Sequence, residues 1–172
     1  MIGNRAKTRG GAGGIRPAAA LALAIALSFA LFGPSGRAEA TAAVRIPDPA
    51  GYGLIALKDG STVRTDSLKG RPLFLAFFTP TCPYCREELA ALDRIVPKYR
   101  GKISVVALAP ESSGRELVTA MLGRWGIRNI PGYLDTGNRM FEAFGVTGVP
   151  FSVFFDRNGK GIQTFLGLAP MD

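Results

Sequence analysis

The sequence predicts one α/β domain, a central mixed β-sheet flanked by helices, entered through an N-terminal β-hairpin and closed by an antiparallel pair. Three observations carry this. Residues 73–78 (LFLAFF), 103–109 (ISVVALA) and 151–155 (FSVFF) are continuous apolar runs of strand length, the pattern of strands buried on both faces. Segments of helical spacing stand between them, and such alternation implies parallel pairing through right-handed crossovers. Arg157-Asn158-Gly159-Lys160 carries an Asn-Gly pair, the signal of a tight turn and hence of a final hairpin.

The elements follow in order. Residues 41–53, with Pro47 and Pro49, read as a linker, and residues 54–172 as the folded domain. Residues 54–57 and 61–64 flank Lys58-Asp59-Gly60, whose Asp-Gly pair makes them a hairpin. Residues 66–70 (DSLKG) form a turn or a single helical turn. Beyond the strand at 73–78, Leu89, Leu92, Ile95 and Val96 recur at helical spacing from Cys85, with Glu87, Glu88, Asp93 and Arg94 largely between them as the polar face. Pro97 bends or ends that helix. Residues 116–125 predict a second helix with Leu117, Met121, Leu122 and Trp125 on one face. A short strand at 132–135, a short helix at 139–144 closed by Gly145, the strand at 151–155 and a last strand at 161–168 complete the chain.

Composition narrows the chemistry. Of 172 residues, 47% are hydrophobic, ample for a core, and the formal charge is +8. Half of that excess lies in residues 1–40, and the later Lys and Arg are scattered; a nucleic-acid surface needs them in a stripe with aromatic platforms. With no histidine, His-based triads, His general bases and His metal ligands are excluded. Two cysteines cannot supply the four ligands of a structural zinc site. A loop this short also removes little unfolded-state entropy, so a structural staple is a poor reading of the pair.

Residues 1–16 are Gly-rich and basic, residues 17–32 are apolar except for Ser28, and Ala38-Glu39-Ala40 follows a Gly-Pro-Ser-Gly break. This is the order of a secretory signal peptide. Sixteen apolar residues fall short of the roughly 20 that span a bilayer, which favours cleavage after Ala40 over an inner-membrane anchor. No cysteine follows for lipidation and no arginine pair marks the twin-arginine route. The expected location is the periplasm, where disulfides persist.

The pair is Cys82-Pro83-Tyr84-Cys85. A strand ending near Phe78 and a helix beginning near Cys82 put that sulfur at a helix N-terminus, where free N–H groups and the helix dipole favour a thiolate. Its pKa is thereby expected below the free value of about 8.5, and the thiolate is the species that attacks disulfides. Cys85 lies nearly one turn on, on the same side, able to resolve a mixed disulfide. Pro83 sits in the first turn, where its missing N–H costs nothing. Tyr84 stiffens the loop.

The stretch LFLAFFTPTCPYCREEL at 73–89 resembles the active-site region of periplasmic thioredoxin-like proteins of the TlpA/ResA type. The lead-in Lys58-Asp59-Gly60 with Leu68-Lys69-Gly70-Arg71-Pro72, and Gly145-Val146-Thr147-Gly148-Val149-Pro150 followed by FSVFFDRNGK, resemble them too. The resemblance spans about residues 54–168 and implies a thioredoxin-like fold. It implies a thiol–disulfide oxidoreductase with Cys82 as nucleophile and Cys85 as resolving cysteine, joined as a disulfide when oxidised. Pro150 would be a cis-proline beside them, and Val149 would offer backbone hydrogen bonds to an extended substrate, with Thr81, Pro83 and Tyr84 also at the substrate. Glu111 matches a glutamate that some members hold near the site and could take protons from Cys85; a solvated loop carboxylate is the alternative reading. The implied work is keeping exported cysteine-containing proteins reduced, such as apocytochrome c, with electrons from a membrane thiol donor and no cofactor. A disulfide oxidant or isomerase, and a redox-inert docking module, are the alternatives.

Three departures stand out. Thr81 replaces the family's usual tryptophan, and Ala76 stands where cytoplasmic thioredoxins carry a buried aspartate. The chain ends at Asp172 where the family usually continues into a helix, so the C-terminus is expected to be shortened and one sheet face short of cover. A glutaredoxin shares Cys-Pro-Tyr-Cys, but Pro150 runs into Phe151-Ser152-Val153 without the Gly-Gly segment that would bind glutathione.

Overall fold

A computed structural model describes residues 45–170. The expected leader, its cleavage site after Ala40 and residues 41–44 of the expected linker lie outside the described residues. The strands are β1 (Gly53–Ala56), β2 (Thr62–Arg64), β3 (Leu73–Phe77), β4 (Ser104–Pro110), β5 (Gly132–Asp135), β6 (Phe151–Phe155) and β7 (Gly161–Leu166). The helices are α1 (Pro83–Ile95), α2 (Arg115–Trp125) and α3 (Arg139–Ala143), with short 3-10 turns at Thr65–Leu68 and Val96–Tyr99 among others. The strands form one seven-stranded sheet in the order β2-β1-β5-β4-β3-β6-β7.

Strands β3, β4 and β5 pair in parallel, as the alternation predicts. The hairpin β1–β2 joins this block antiparallel to β5. The third apolar run departs from the expected parallel pairing: β6 lies antiparallel to β3. The connection explains it. A parallel crossover must carry the chain back along the whole sheet, about 17 Å for a five-residue strand. Helix α3, with five residues, rises only about 7.5 Å. The chain therefore enters β6 from the end at which it left β5. The Asn-Gly turn then gives β7 antiparallel to β6.

Side-chain alternation sorts the two sides of the sheet. Leu73, Leu75 and Phe77 point to one face with Val106, Leu108, Val153 and Phe155, covered by Met140 of α3. Aromatic rings tighten that layer, with Phe77 5.0 Å from Phe141 edge-on and 5.6 Å from Phe144. The opposite face carries Ala76, Ala107 and Ala109, and α1 and α2 lie over it through Leu89, Leu92, Val118 and Leu122. The small residues let the helices approach closely, and each buried Leu or Val adds about 1.5–3 kcal/mol.

Helix boundaries follow local chemistry. Cys82 is the extended N-cap of α1 and Pro83 its first residue; Pro97 sits where the helix tightens into Val96–Tyr99. Helix α2 ends at Gly126, whose left-handed φ of 75° lets its N–H reach back to the Leu122 and Gly123 carbonyls. Three expectations are revised. In α2 the core-facing residues are Val118 and Leu122, while Leu117 is exposed and Met121 and Trp125 are half-buried. Glu88 and Asp93, expected on the polar face of α1, are buried. Residues 45–52, expected within the linker, have no strand or helix, yet Ile46 and Tyr52 pack on the core and Pro49 is buried. Ile46 lies so close over Gly161 that a Cβ there would overlap it. No helix among the described residues is long and apolar enough to cross a membrane.

Candidate active site

Strand β3 delivers the chain to the site. The Phe78 N–H still bonds the Leu108 carbonyl at 3.0 Å, and the Cys82 N–H donates to the Thr79 carbonyl at 3.2 Å, closing the turn into α1. Cys82 and Cys85 form a disulfide with Cα atoms 5.3 Å apart. The Cys85 N–H donates to Cys82 Sγ at 3.1 Å, so the sulfur occupies the place of an N-cap oxygen, where orphan helix donors stabilise negative charge. The two sulfurs differ in access. Cys82 is half-buried beside exposed Pro83, while Cys85 is 0% exposed. Only the first can meet a macromolecular partner. Tyr84 is 61% exposed, and Thr81 is exposed as well.

The loop before β6 lies against Cys82. The Val149 carbonyl oxygen is 3.6 Å from Cys82 Sγ. Pro150 is buried, and the Val149–Pro150 bond is cis, as the family resemblance implies. The Gly167 N–H donates to the Pro150 carbonyl at 2.8 Å, which ties this loop to the end of β7. The structure thus brings Thr81, Cys82, Pro83, Tyr84, Cys85, Val149 and Pro150 together where β3 ends and β6 begins.

Glu111 is placed differently from its sequence neighbours. It follows β4, its Oε2 accepts from the Gly137 N–H at 2.6 Å, and its own N–H donates to Asn138 Oδ1 at 2.8 Å. Its carboxylate clamps the β5–α3 turn, and among the described residues it has no hydrogen bond to either cysteine.

The carboxyl buried behind the disulfide is Glu88, which the sequence reading assigned to solvent. It is 2% exposed, three residues after Cys85 and therefore on the same face of α1. The Ser152 hydroxyl donates to Glu88 Oε1 at 2.9 Å. Ser152 is the cross-strand partner of Ala76, so the helix supplies a carboxyl over the position where the strand has none. Burial pushes the Glu88 pKa up, and the Ser152 hydroxyl and Ala169 N–H oppose this only in part. The available signal was spacing: Cys85 and Glu88 stand at i and i+3 in a helix whose inner face was already marked by Leu89 and Leu92.

A second buried carboxyl, Asp135, ends β5. Its Oδ2 accepts from the Met140 and Phe141 N–H groups at 2.8 and 2.9 Å, fastening the first turn of α3. Burial raises its pKa, and the charges of Glu142 and Glu111 add to the shift. No group of three or more Cys, His, Asp or Glu suited to a metal occurs among the described residues.

Residues 39–171 match the Redoxin family. The chain belongs to the Redoxin family. This Redoxin chain is 26% identical over 110 residues to "Thiol-disulfide oxidoreductase ResA" of Bacillus thuringiensis, covering 63% of the chain and 62% of that protein. It therefore spans less than two thirds of the length of the curated relatives it matches. Among solved structures it resembles a thiol:disulfide interchange protein of the thioredoxin family from Chlorobium tepidum, at 25% identity and a TM-score of 0.61, covering 74% of the chain and 89% of that one. It also resembles a secreted Mycobacterium tuberculosis disulfide oxidoreductase, at 22% identity and a TM-score of 0.57, covering 64% of the chain and 80% of that one. The likenesses give the Redoxin chain a thioredoxin-like fold, in keeping with the mixed sheet and its helix layers.

Proposed function

We propose that the chain is a thiol–disulfide oxidoreductase that exchanges disulfides with partner polypeptides through Cys82 and Cys85. The observation that carries this reading is the asymmetric pair at the start of α1: an accessible sulfur in the N-cap position, and a fully buried one a turn behind it. The names of the similar ResA proteins support the same activity.

In the reducing direction the Cys82 thiolate attacks one sulfur of a partner disulfide. A new S–S bond joins the two proteins, and the partner's other sulfur leaves as a thiolate and takes a proton from solvent. Cys85 then gives its proton to the Glu88 carboxylate and attacks Cys82 Sγ, breaking the intermolecular bond. The partner's second sulfur leaves as a thiolate and takes a proton from solvent, Glu88 returns its proton to solvent, the pair ends as a disulfide, and two electrons have passed to the partner. Burial raises the Glu88 pKa, which brings the acceptor closer to a thiol and eases the transfer. Val149 offers its backbone to an extended partner beside Cys82. A membrane thiol donor would re-reduce the pair.

The chain works as an exported protein in this reading, its basic, apolar and small-residue leader directing it to the periplasm. Its partners are exported cysteine-containing proteins held reduced, apocytochrome c among them. The reduction potential of the Cys82–Cys85 pair tests the direction, read by equilibrating the protein in graded thiol/disulfide buffers. A value near about −270 mV is expected of a reductant, and one near about −120 mV would make the protein an oxidant. Replacement of Cys82 by Ser is expected to abolish exchange. Cys85→Ser is expected to trap the partner as a mixed disulfide that mass spectrometry can identify.

A further inference from the structure

An open groove runs from Cys82 along α2, walled by Pro80, Pro83, Arg86, Leu117, Met121 and Trp125. Its apolar wall is not spare core. Leu117, Met121 and Trp125 are spaced by four and form one stripe of α2, while Val118 and Leu122 form the stripe that faces the sheet. Leu117 is 50% exposed. Trp125, the only tryptophan of the chain, is braced from behind by the buried ring of Phe78, with centroids 6.1 Å apart. A partly exposed apolar stripe on a braced scaffold is the construction of a binding surface, and methionine lets it adapt to more than one shape. Thr81, beside Cys82, is small and polar, and α2 adds its apolar stripe to the apolar area that Pro80 and Pro83 provide there.

We infer that this groove receives the residue flanking the reactive cysteine of a polypeptide substrate, and that Leu117, Met121 and Trp125 select a large apolar side chain there. The inference rests on the exchange reading above. The occupant follows from covalent geometry: a disulfide that reaches Cys82 Sγ brings its chain neighbours with it, one Cα about 3.8 Å from the next. Those neighbours must lie on the surfaces that touch Cys82, and one of these is the groove. Arg86 at its rim disfavours a basic residue. The substrates so selected are unfolded or extended segments with an aromatic or large aliphatic residue next to cysteine, a pattern that is buried in most folded proteins.

The test compares two disulfide-linked peptides of equal length that differ only in the residues beside cysteine, Phe in one and Ser in the other. Hydroxyethyl disulfide, which has no flanking residues, serves as the reference substrate for the full chain. The wild-type protein is expected to prefer the Phe peptide by about tenfold or more in kcat/KM, chiefly through KM. Leu117→Ser and Trp125→Ala are each expected to bring the Phe/Ser ratio toward one, and Trp125→Phe to restore most of it. The emission of Trp125 is expected to change when the Phe peptide is captured on the Cys85→Ser protein, and to change little with the Ser peptide. A wild-type ratio near one, or a ratio unmoved by Leu117→Ser, overturns the inference. Failure of the wild-type protein to reduce hydroxyethyl disulfide instead overturns the exchange reading on which it rests.

Discussion

Helix α1 buries two carboxyl side chains five residues apart, and they are built in opposite ways. Asp93 is saturated with donors. Its Oδ1 accepts from the N–H groups of Arg128, Asn129 and Ile130, and its Oδ2 accepts from Asn129 Nδ2 at 3.0 Å. Glu88 has the Ser152 hydroxyl and the neighbouring Ala169 N–H, and desolvation prevails over both. A carboxylate surrounded by donors fastens what surrounds it. One with few donors, as Glu88 is, has its pKa raised by burial. The difference shows that burial alone does not decide how a carboxyl behaves; the supply of donors matters as well. It also separates the two ends of α1, Glu88 lying one turn after Cys85 and Asp93 where the helix meets the loop before β5.

The largest expected effect comes from the structural member. Asp93→Ala removes the shared acceptor of the backbone donors of residues 128–130, of whose bonds that from Ile130 is buried and the other two are part-buried. The loss is expected to be about 2–4 kcal/mol in urea unfolding. Exchange by the fraction that remains folded is expected to stay within a factor of about three. A stable Asp93→Ala protein would mean that the loop finds other acceptors and that the contrast with Glu88 is weaker than drawn.

Glu88→Gln sharpens the comparison from the other side. The amide keeps the shape but cannot take the Cys85 proton, so release of the trapped partner is expected to slow by about 10²-fold. Attack by Cys82 is expected to change little. Rapid-mixing measurement of mixed-disulfide decay separates the two steps. An unchanged decay rate would remove Glu88 from the chemistry and return attention to Glu111, which the structure shows holding Gly137.

Much of this arrangement was legible in the sequence, for identifiable reasons. Continuous apolar runs locate β3, β4 and β6 because strands buried on two faces have few polar options. Cys82-Pro83 marks a helix start because Pro fits the first turn. The direction of β6 was not legible, since it depends on how far a five-residue helix can carry the chain. Nor was the choice between the two apolar stripes of α2, because Leu117-Val118 and Met121-Leu122 place apolar residues on both. Glu88 and Asp93 fall largely between the apolar positions of α1 and so read as part of its polar face. Their burial depends on Ser152 and on the 128–130 loop, contributed by segments more than 30 residues away in sequence.

The pH dependence of stability gives a smaller, signed test. The folded-state pKa of Glu88 is raised, so the folded protein holds this proton more tightly than the unfolded chain, whose value is about 4.3. The corresponding stability is fully present below that pH and is lost as pH rises through the folded value. Relative to wild type, Glu88→Gln is therefore expected to become progressively more stable as pH rises across this window. Thermal melts of the two proteins in parallel isolate the effect from Asp135, whose raised pKa contributes equally to both. A relative loss of stability with rising pH would reverse the assigned direction.

Ser152 supplies the smallest perturbation and the most specific. Its hydroxyl lowers the Glu88 pKa against the larger effect of burial. Ser152→Ala removes that donor and is expected to push the pKa further up. The pH profile of mixed-disulfide resolution is expected to move to higher pH. Ser152→Thr, which keeps the hydroxyl, is expected to hold the profile closer to wild type. Because Ser152 lies on β6 and has no role in the attack by Cys82, a shift confined to the resolving step distinguishes tuning of Glu88 from general loosening of the sheet. A profile that moves equally in both steps would point to the sheet instead.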